Sequence, residues 1–208
     1  MVTSARGGAG RSLLVANLAR RLAPLRATLC LDLTADGTLG WWLGAASGRW
    51  ADLEDLTDEL TAEHLGVVAT DASPGLRLVG GPPFAPTVQL AQSAFHAALE
   101  LSEIVLVDAP TLSDERTRRL ATSVDRVIVM SYDDPVSVAA LAAADVPEGA
   151  WLIASQSTVT SLGGRDVFRA LPRAEGAIAA ATSRPSALGG ALGKAYDDLA
   201  EILAIDAA

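Results

Sequence analysis

Lysine is almost missing from this 208-residue chain: of its 16 basic residues only Lys194 is a lysine, and the rest are arginines. Any cation near the N-terminus must therefore be an arginine. Cys30 is the only cysteine, which excludes a disulfide within the chain and a cysteine-built metal cage, and a buried strand is its expected place. No run of eighteen uncharged apolar residues exists, and the opening MVTSARGG lacks the long apolar core of a secretory leader. Neither a membrane span nor export is expected, and the predicted location is cytoplasmic. Basic residues are also outnumbered, 16 against 25 acids, and a net charge of -9 argues against a general nucleic-acid coat. What is present is apolar material: 50% of the residues are hydrophobic, enough for one core in a single domain spanning 1–208 and too much for a disordered chain.

Charge is unevenly placed. The N-terminal stretch carries Arg6, Arg11, Arg20, Arg21 and Arg26 and no acid, whereas Asp52, Glu54, Asp55, Asp58, Glu59 and Glu63 crowd together. Such runs read as solvated helix faces, with a self-complementary or partner-facing asymmetry as the alternative.

Short apolar runs alternate with longer helix-period segments, the pattern of a parallel sheet wrapped by helices. Strands are predicted at 1–4, 27–32, 76–79, 104–108, 126–131, 150–154 and 174–179, and helices at 11–22, 86–101, 113–123, 135–144, 164–171 and 188–204. The predicted fold class is α/β, a doubly wound, mainly parallel sheet flanked by helices. Residues 40–73 read as short acidic helices around Trp41, Trp42 and Trp50, and Gly80, Gly81, Pro82 and Pro83 read as a rigid loop. The tryptophans are either core or a partner-binding patch. His64 and His96 have no ligand set near them in sequence and read as surface or helix-packing residues. The last helix, with Leu192, Tyr196, Leu199, Ile202 and Leu203 on one stripe and a net negative charge, suits core packing better than an anionic membrane surface.

The most informative stretch is Ser4-Ala5-Arg6-Gly7-Gly8-Ala9-Gly10-Arg11-Ser12-Leu13, between a strand and an amphipathic helix. Backbone N–H groups of a glycine-rich loop converge on phosphate oxygens at a helix N-terminus, where the helix dipole also favours negative charge. The G-K-[ST] of a P-loop reads Gly10-Arg11-Ser12 here. Arginine keeps the charge but is longer, planar and forked, so it is no simple replacement inside the loop.

This loop resembles the deviant Walker A motif, K-G-G-x-G-K-[ST], of the MinD/ParA family of P-loop ATPases, with both lysines replaced by arginine. The resemblance extends over essentially the whole chain. It implies a P-loop NTPase fold, ATP and Mg²⁺ as ligands, and an ATP-sandwiched homodimer. Arg6 matches the lysine that reaches across that dimer, Arg11 the lysine inside the loop, and Ser12 the hydroxyl on Mg²⁺. Arg6, Gly7, Gly8, Ala9, Gly10, Arg11, Ser12 and Leu13 are thus the nucleotide-binding candidates, joined by Gln156, which lies where the family has an adenine-reading asparagine. Leu31-Asp32-Leu33-Thr34 looks like the D-x-D switch, with Thr34 at its second position and Asp36 two residues late, where a slip along an extended chain turns a side chain away. The run ending Val107-Asp108-Ala109-Pro110 resembles the Walker B strand and the D-x-P-x-G switch, with Leu112 at the glycine. Asp32 and Asp108 are the catalytic candidates and, with Ser12, the Mg²⁺ candidates; their plainer reading is as turn or capping residues.

Departures in all three motifs weigh against efficient hydrolysis, because cradle, metal and positioned water act as a unit in phosphoryl transfer. Nucleotide binding is the weaker demand and stays open. The closest resemblance is to the CpaE/TadZ branch, through Gly40-Trp41-Trp42-Leu43-Gly44, Gly75-Leu76-Arg77-Leu78-Val79-Gly80-Gly81-Pro82 and Asp108-Ala109-Pro110. That branch implies a localisation or assembly factor for a pilus, secretion or polar-positioning apparatus, placed at a pole or drawn to the inner membrane face by its partner. Its members often carry a receiver-like domain ahead of the ATPase domain; here such a domain is either absent or outside this sequence. The alternatives are a slow ATPase switch and, less compatible with the acidic charge, a DNA-partitioning ATPase.

Overall fold

The computed structural model describes residues 1–46, 49–81, 85–176, 178, 179 and 186–206. Eight strands form one sheet. In chain order the elements that build it are β1 (Val2–Ser4), α1 (Arg11–Leu22), β2 (Thr28–Asp32), α2 (Thr38–Leu43), a 3-10 turn (Trp50–Leu56), α3 (Ala62–Val68), β3 (Thr70–Ser73), β4 (Leu76–Gly80) and α4 (Val88–Leu101). These are followed by β5 (Ile104–Thr111), α5 (Glu115–Leu120), β6 (Ile128–Ser131), α6 (Pro135–Ala143), β7 (Trp151–Ala154), a hairpin of β8 (Ser161–Leu162) and β9 (Arg165–Asp166), β10 (Arg169–Ala170) and α7 (Gly190–Asp206). The sheet order is β10-β7-β6-β1-β5-β2-β4-β3, parallel throughout except for the edge strand β3.

Both faces of the sheet are covered, so its strands read as continuous apolar runs. Alternation sorts the side chains: Cys30 and Leu106 pack with α1 and α7, whereas Leu29, Leu31 and Val107 pack with α4 and the Trp50 segment. Leu192, Tyr196 and Leu199 of α7 are buried as their stripe requires. Cys30 is fully buried, and desolvation pushes its thiol far above the ordinary range. No described helix is long and apolar enough to cross a membrane.

Two predicted elements are corrected. The helix expected at 164–171 is instead the end of a hairpin followed by a sheet strand, because Gly163 and Gly164, with φ of 56° and 78°, turn the chain. The strand expected at 174–179 is helical where it is described, with the Ile178 N–H donating to the Ala174 carbonyl at 2.9 Å. The short edge strand β3 falls in the segment read as acidic helices. The expected turn at Pro82 and Pro83 lies outside the described residues.

The three tryptophans divide. Trp50 is fully buried, and its indole N–H donates to the Asp32 carbonyl at 2.7 Å, so it anchors the end of β2 from below. Trp41 is 46% exposed and meets Trp42 edge to face. Trp50→Phe removes the donor and leaves a buried carbonyl and a gap; we expect a loss of about 2 kcal/mol, measured by urea denaturation.

Candidate functional site

In an open α/β sheet, ligands sit beyond the carboxyl ends of the strands. Here the strands β1, β2, β5, β6 and β7 deliver the Gly-rich loop, Asp32, Asp108, Tyr132 and Ser155–Gln156 to that edge. A cavity of about 310 Å³ opens there, lined among others by Gly8, Gly10, Arg11, Ser12, Leu13 and Gln156. Arg6, Gly7 and Ala9 are not part of its lining but back onto β6 and α6. Arg6 is half exposed, 4.0 Å from Asp134 at the start of α6.

Gly10 caps α1 in the left-handed conformation, φ 88°, which brings the first-turn N–H groups to the cavity without a side-chain cap. The Tyr132 hydroxyl donates to the Gly8 carbonyl at 2.9 Å and so fixes the loop from β6. Arg11 does not point freely into the loop: its Nη1 donates to the Ala109 carbonyl of β5 at 2.8 Å.

Asp32 and Asp108 are in register on β2 and β5 and are both fully buried. They lie behind the cavity rather than lining it. The Asp32 Oδ1 accepts from the Thr34 N–H at 2.9 Å and lies 2.6 Å from the Thr34 hydroxyl. Its Oδ2, and both oxygens of Asp108, have no hydrogen-bond partner among the described residues. Burial pushes Asp32 up to about 6, against the bonds from Thr34. Burial, with the Asp32 charge adding to it, pushes Asp108 up to about 7; the Ser12 hydroxyl, outside good hydrogen-bond geometry, and the Arg11 charge oppose this.

Asp36 corrects an expectation. Residues 34–36 form a bend and not extended chain, so Asp36 is not turned away but lines the cavity, with its Oδ1 3.0 Å from the Thr34 hydroxyl. Burial would raise it, but bonds from Thr38 and Thr34 and the Arg11 charge outweigh that and hold it below the usual carboxylate range. Leu112, in the glycine position, is buried, and its N–H donates to the Ser4 carbonyl at 2.9 Å. Gln156 lines the cavity and takes a positive φ of 53°.

The donor chemistry fits Mg²⁺. Three partnerless carboxylate oxygens with a serine hydroxyl beside them make a hard oxygen set. No group of three or more His, Cys, Asp or Glu among the described residues could hold a metal alone, so a cation would need Ser12 and phosphate oxygens as further ligands. The histidines take no part: His96 is exposed on α4 and His64 sits on α3.

Trp42, Tyr132, Leu171 and Pro172 also line the cavity and were not singled out for it in the sequence. Tyr132 directly follows β6, a strand the sequence shows, and that position was the available signal; Leu171 and Pro172 follow β10, which the sequence reads as helix, so no such signal marked them. Trp42 comes from the end of α2, and only the α1–α2 packing brings it there.

No family model and no curated protein matches the sequence. Solved structures do. The chain is similar to the ParA family ATPase from Chlorobium tepidum TLS at 20% identity, over 96% of this chain and 98% of that one, with a TM-score of 0.83. MinD in the MinC:MinD cell division complex of Aquifex aeolicus follows at 16% identity, covering 98% and 94%, with a TM-score of 0.75. MinD of Pyrococcus horikoshii OT3, complexed with Mg-ADP, is 16% identical over 100% and 97% at 0.70. At these identities the likeness establishes the fold, and the chain has the P-loop ATPase fold of the MinD and ParA proteins.

Proposed function

We propose that this chain works by binding and not by turnover: a localisation or assembly factor that forms a homodimer and recruits a protein partner, with hydrolysis weak or lost. The observation that carries the reading is the Arg11 bond to the Ala109 carbonyl, which commits the loop's own cation to the backbone of β5. Hydrolysis needs that charge on the transferring phosphate, together with a switch that closes on it.

The cavity suits a nucleotide as a structural ligand. The α1 N-terminus offers N–H groups to phosphates, Gln156, Leu171 and Pro172 are among the residues lining the remainder, and Ser12, Asp32 and Asp108 would hold Mg²⁺. When bound, that ion neutralises phosphate charge. Arg6, outside the cavity, half exposed and held only by a 4.0 Å pairing with Asp134, is placed to act across a dimer interface. The complex of MinD with MinC supports a partner-binding role for the fold, and the CpaE/TadZ resemblance makes a pilus, secretion or polar-positioning apparatus the proposed client, reached from the cytoplasm.

A slow ATPase switch is the second reading, favoured by the intact Ser12, Asp32 and Asp108 set. The two separate in a phosphate-release assay run beside calorimetric titration with ATP and ADP in Mg²⁺. Binding-only action gives nucleotide binding with release at background, unchanged by Ser12→Ala. Release that Ser12→Ala or Asp32→Asn abolishes establishes the switch instead, and no heat at millimolar nucleotide removes nucleotide from the mechanism.

A further inference from the structure

The segment that follows β2 and the stretch from the end of β5 to the start of α5 are joined by a residue that no motif accounts for. Arg116, at the start of α5, has a side chain only 17% exposed. Its Nη1 donates to the Leu33 carbonyl at 2.9 Å and to the Pro86 carbonyl at 3.4 Å. Its Nε and Nη2 grip both oxygens of Asp114, at 2.9 and 2.6 Å, and its backbone N–H donates to Asp114 Oδ1 at 2.9 Å. One planar guanidinium thus spans the segment after β2, the entry to α4 and the turn before α5, a geometry that a fork of fixed donors allows and an ammonium does not.

The rest of 109–114 is tied at almost every residue. Arg11 takes the Ala109 carbonyl, Thr3 and Thr117 hydroxyls take the Pro110 carbonyl, and the Leu112 N–H pairs with Ser4. On the other segment, the Leu33 N–H donates to the Asp108 carbonyl at 3.0 Å. Arg116 is where these two sets of bonds meet. The Asp114 carboxyl is held below its ordinary range chiefly by its bond from the Arg116 side chain, so the pair stays charged near neutral pH.

We propose that Arg116 is a positioning residue whose bonds lock both segments in a single arrangement, so that the surface they present to a partner does not depend on the nucleotide. This rests on the binding reading above, in which a surface and not a turnover is the product. Protein donors do here what a γ-phosphate would otherwise do for a closing switch: they supply the contacts that order the segments. A ligand without differential contacts to two arrangements shifts nothing.

Hydrogen exchange of the full chain, read by mass spectrometry, tests it without a known partner. In EDTA and without nucleotide, the amides of Leu33 and Leu112 should exchange at least about a hundredfold slower than free peptide, and ADP or a non-hydrolysable ATP analogue with Mg²⁺ should change this less than about twofold. In Arg116→Gln both segments should exchange at least about tenfold faster together, and the ATP analogue should now slow them again, while Ile153 on β7 is unaffected. A merely structural arginine would raise exchange everywhere and create no response to the analogue. Fast exchange in the ligand-free wild type that slows only on nucleotide addition overturns the proposal, as does an Arg116→Gln protein with both segments unchanged. Phosphate release, measured in parallel, bears on the binding reading alone and leaves the exchange result standing.

Discussion

Asp108→Asn makes the ligand-free protein more stable by about 3 kcal/mol at pH 8 in EDTA, and the gain disappears as the pH falls to about 4. The cause is a carboxyl fully buried on β5 with neither oxygen paired among the described residues. With only the Ser12 hydroxyl and the Arg11 charge to oppose it, a buried charge there carries most of its desolvation cost, which a neutral amide of the same shape carries in much smaller measure. Desolvation, then the neighbouring Asp32 charge, raises the folded-state value to about 7 from an ordinary 3.8. A raised folded-state value means that the folded chain holds a proton the unfolded chain has lost. The resulting stabilisation is complete below pH 3.8 and is lost as the pH rises through about 7, so wild type weakens across that window and the variant does not.

Urea denaturation at pH 5 and pH 8 reads the difference. Asp32→Asn is the internal comparison: that carboxyl accepts two hydrogen bonds from Thr34, so its replacement costs contacts as well as removing charge and should be near neutral. A destabilised Asp108→Asn, or a gain equal at both pH values, would show that Asp108 is satisfied in solution. The prediction also bears on function, because a buried carboxyl that costs the fold stability when charged is a group whose retention points to a role other than stability.

Why some of this was legible in the sequence and some was not follows from how far each signal reaches. The strands β1, β2, β5, β6 and β7 are apolar runs closed by turn residues, and alternation plus length is a local property. The loop at Gly7–Ser12 and Asp32 at the end of β2 were legible for the same reason, strand and turn following in immediate succession; Asp108, read as the last residue of its strand, lies within β5, which runs on to Thr111. The segment 164–171 misled because Val167, Phe168 and Leu171 have helical spacing, yet two glycines turn the chain and Phe168 stacks face to face on Trp151 at 4.1 Å. At 174–179 a short, mostly apolar run with Ala177, Ile178 and Ala179 at its end suggested a strand, although alanine is the best helix former. The bonds of Arg116 to Leu33 and of Tyr132 to Gly8 were illegible because the partners are distant in sequence and meet only through the sheet order.

Gly80→Ala lowers stability by about 4 kcal/mol, which for a chain of this size is a Tm drop of roughly 10 °C, and disturbs the candidate site at Asp32. Gly80 ends β4 in register with Asp32 and has φ +138°, a conformation L side chains rarely adopt. A Cβ built there would lie 2.6 Å from both the Cβ and the carbonyl oxygen of Asp32. That carbonyl is the one the Trp50 indole holds, so neither side can yield without moving β2 against a fully buried tryptophan. Gly8→Ala separates the two causes. Its φ is +81° but nothing lies within 4 Å of the added Cβ, so only conformational strain remains and the expected loss is about 1 kcal/mol. Equal losses in the two variants would mean that backbone conformation sets the cost. A much larger loss at Gly80, accompanied by changed Trp50 fluorescence, would mean that the close approach of β4 to Asp32 fixes where that carboxyl stands, and that the site's geometry is set from the strand beside it as well as from the loop above.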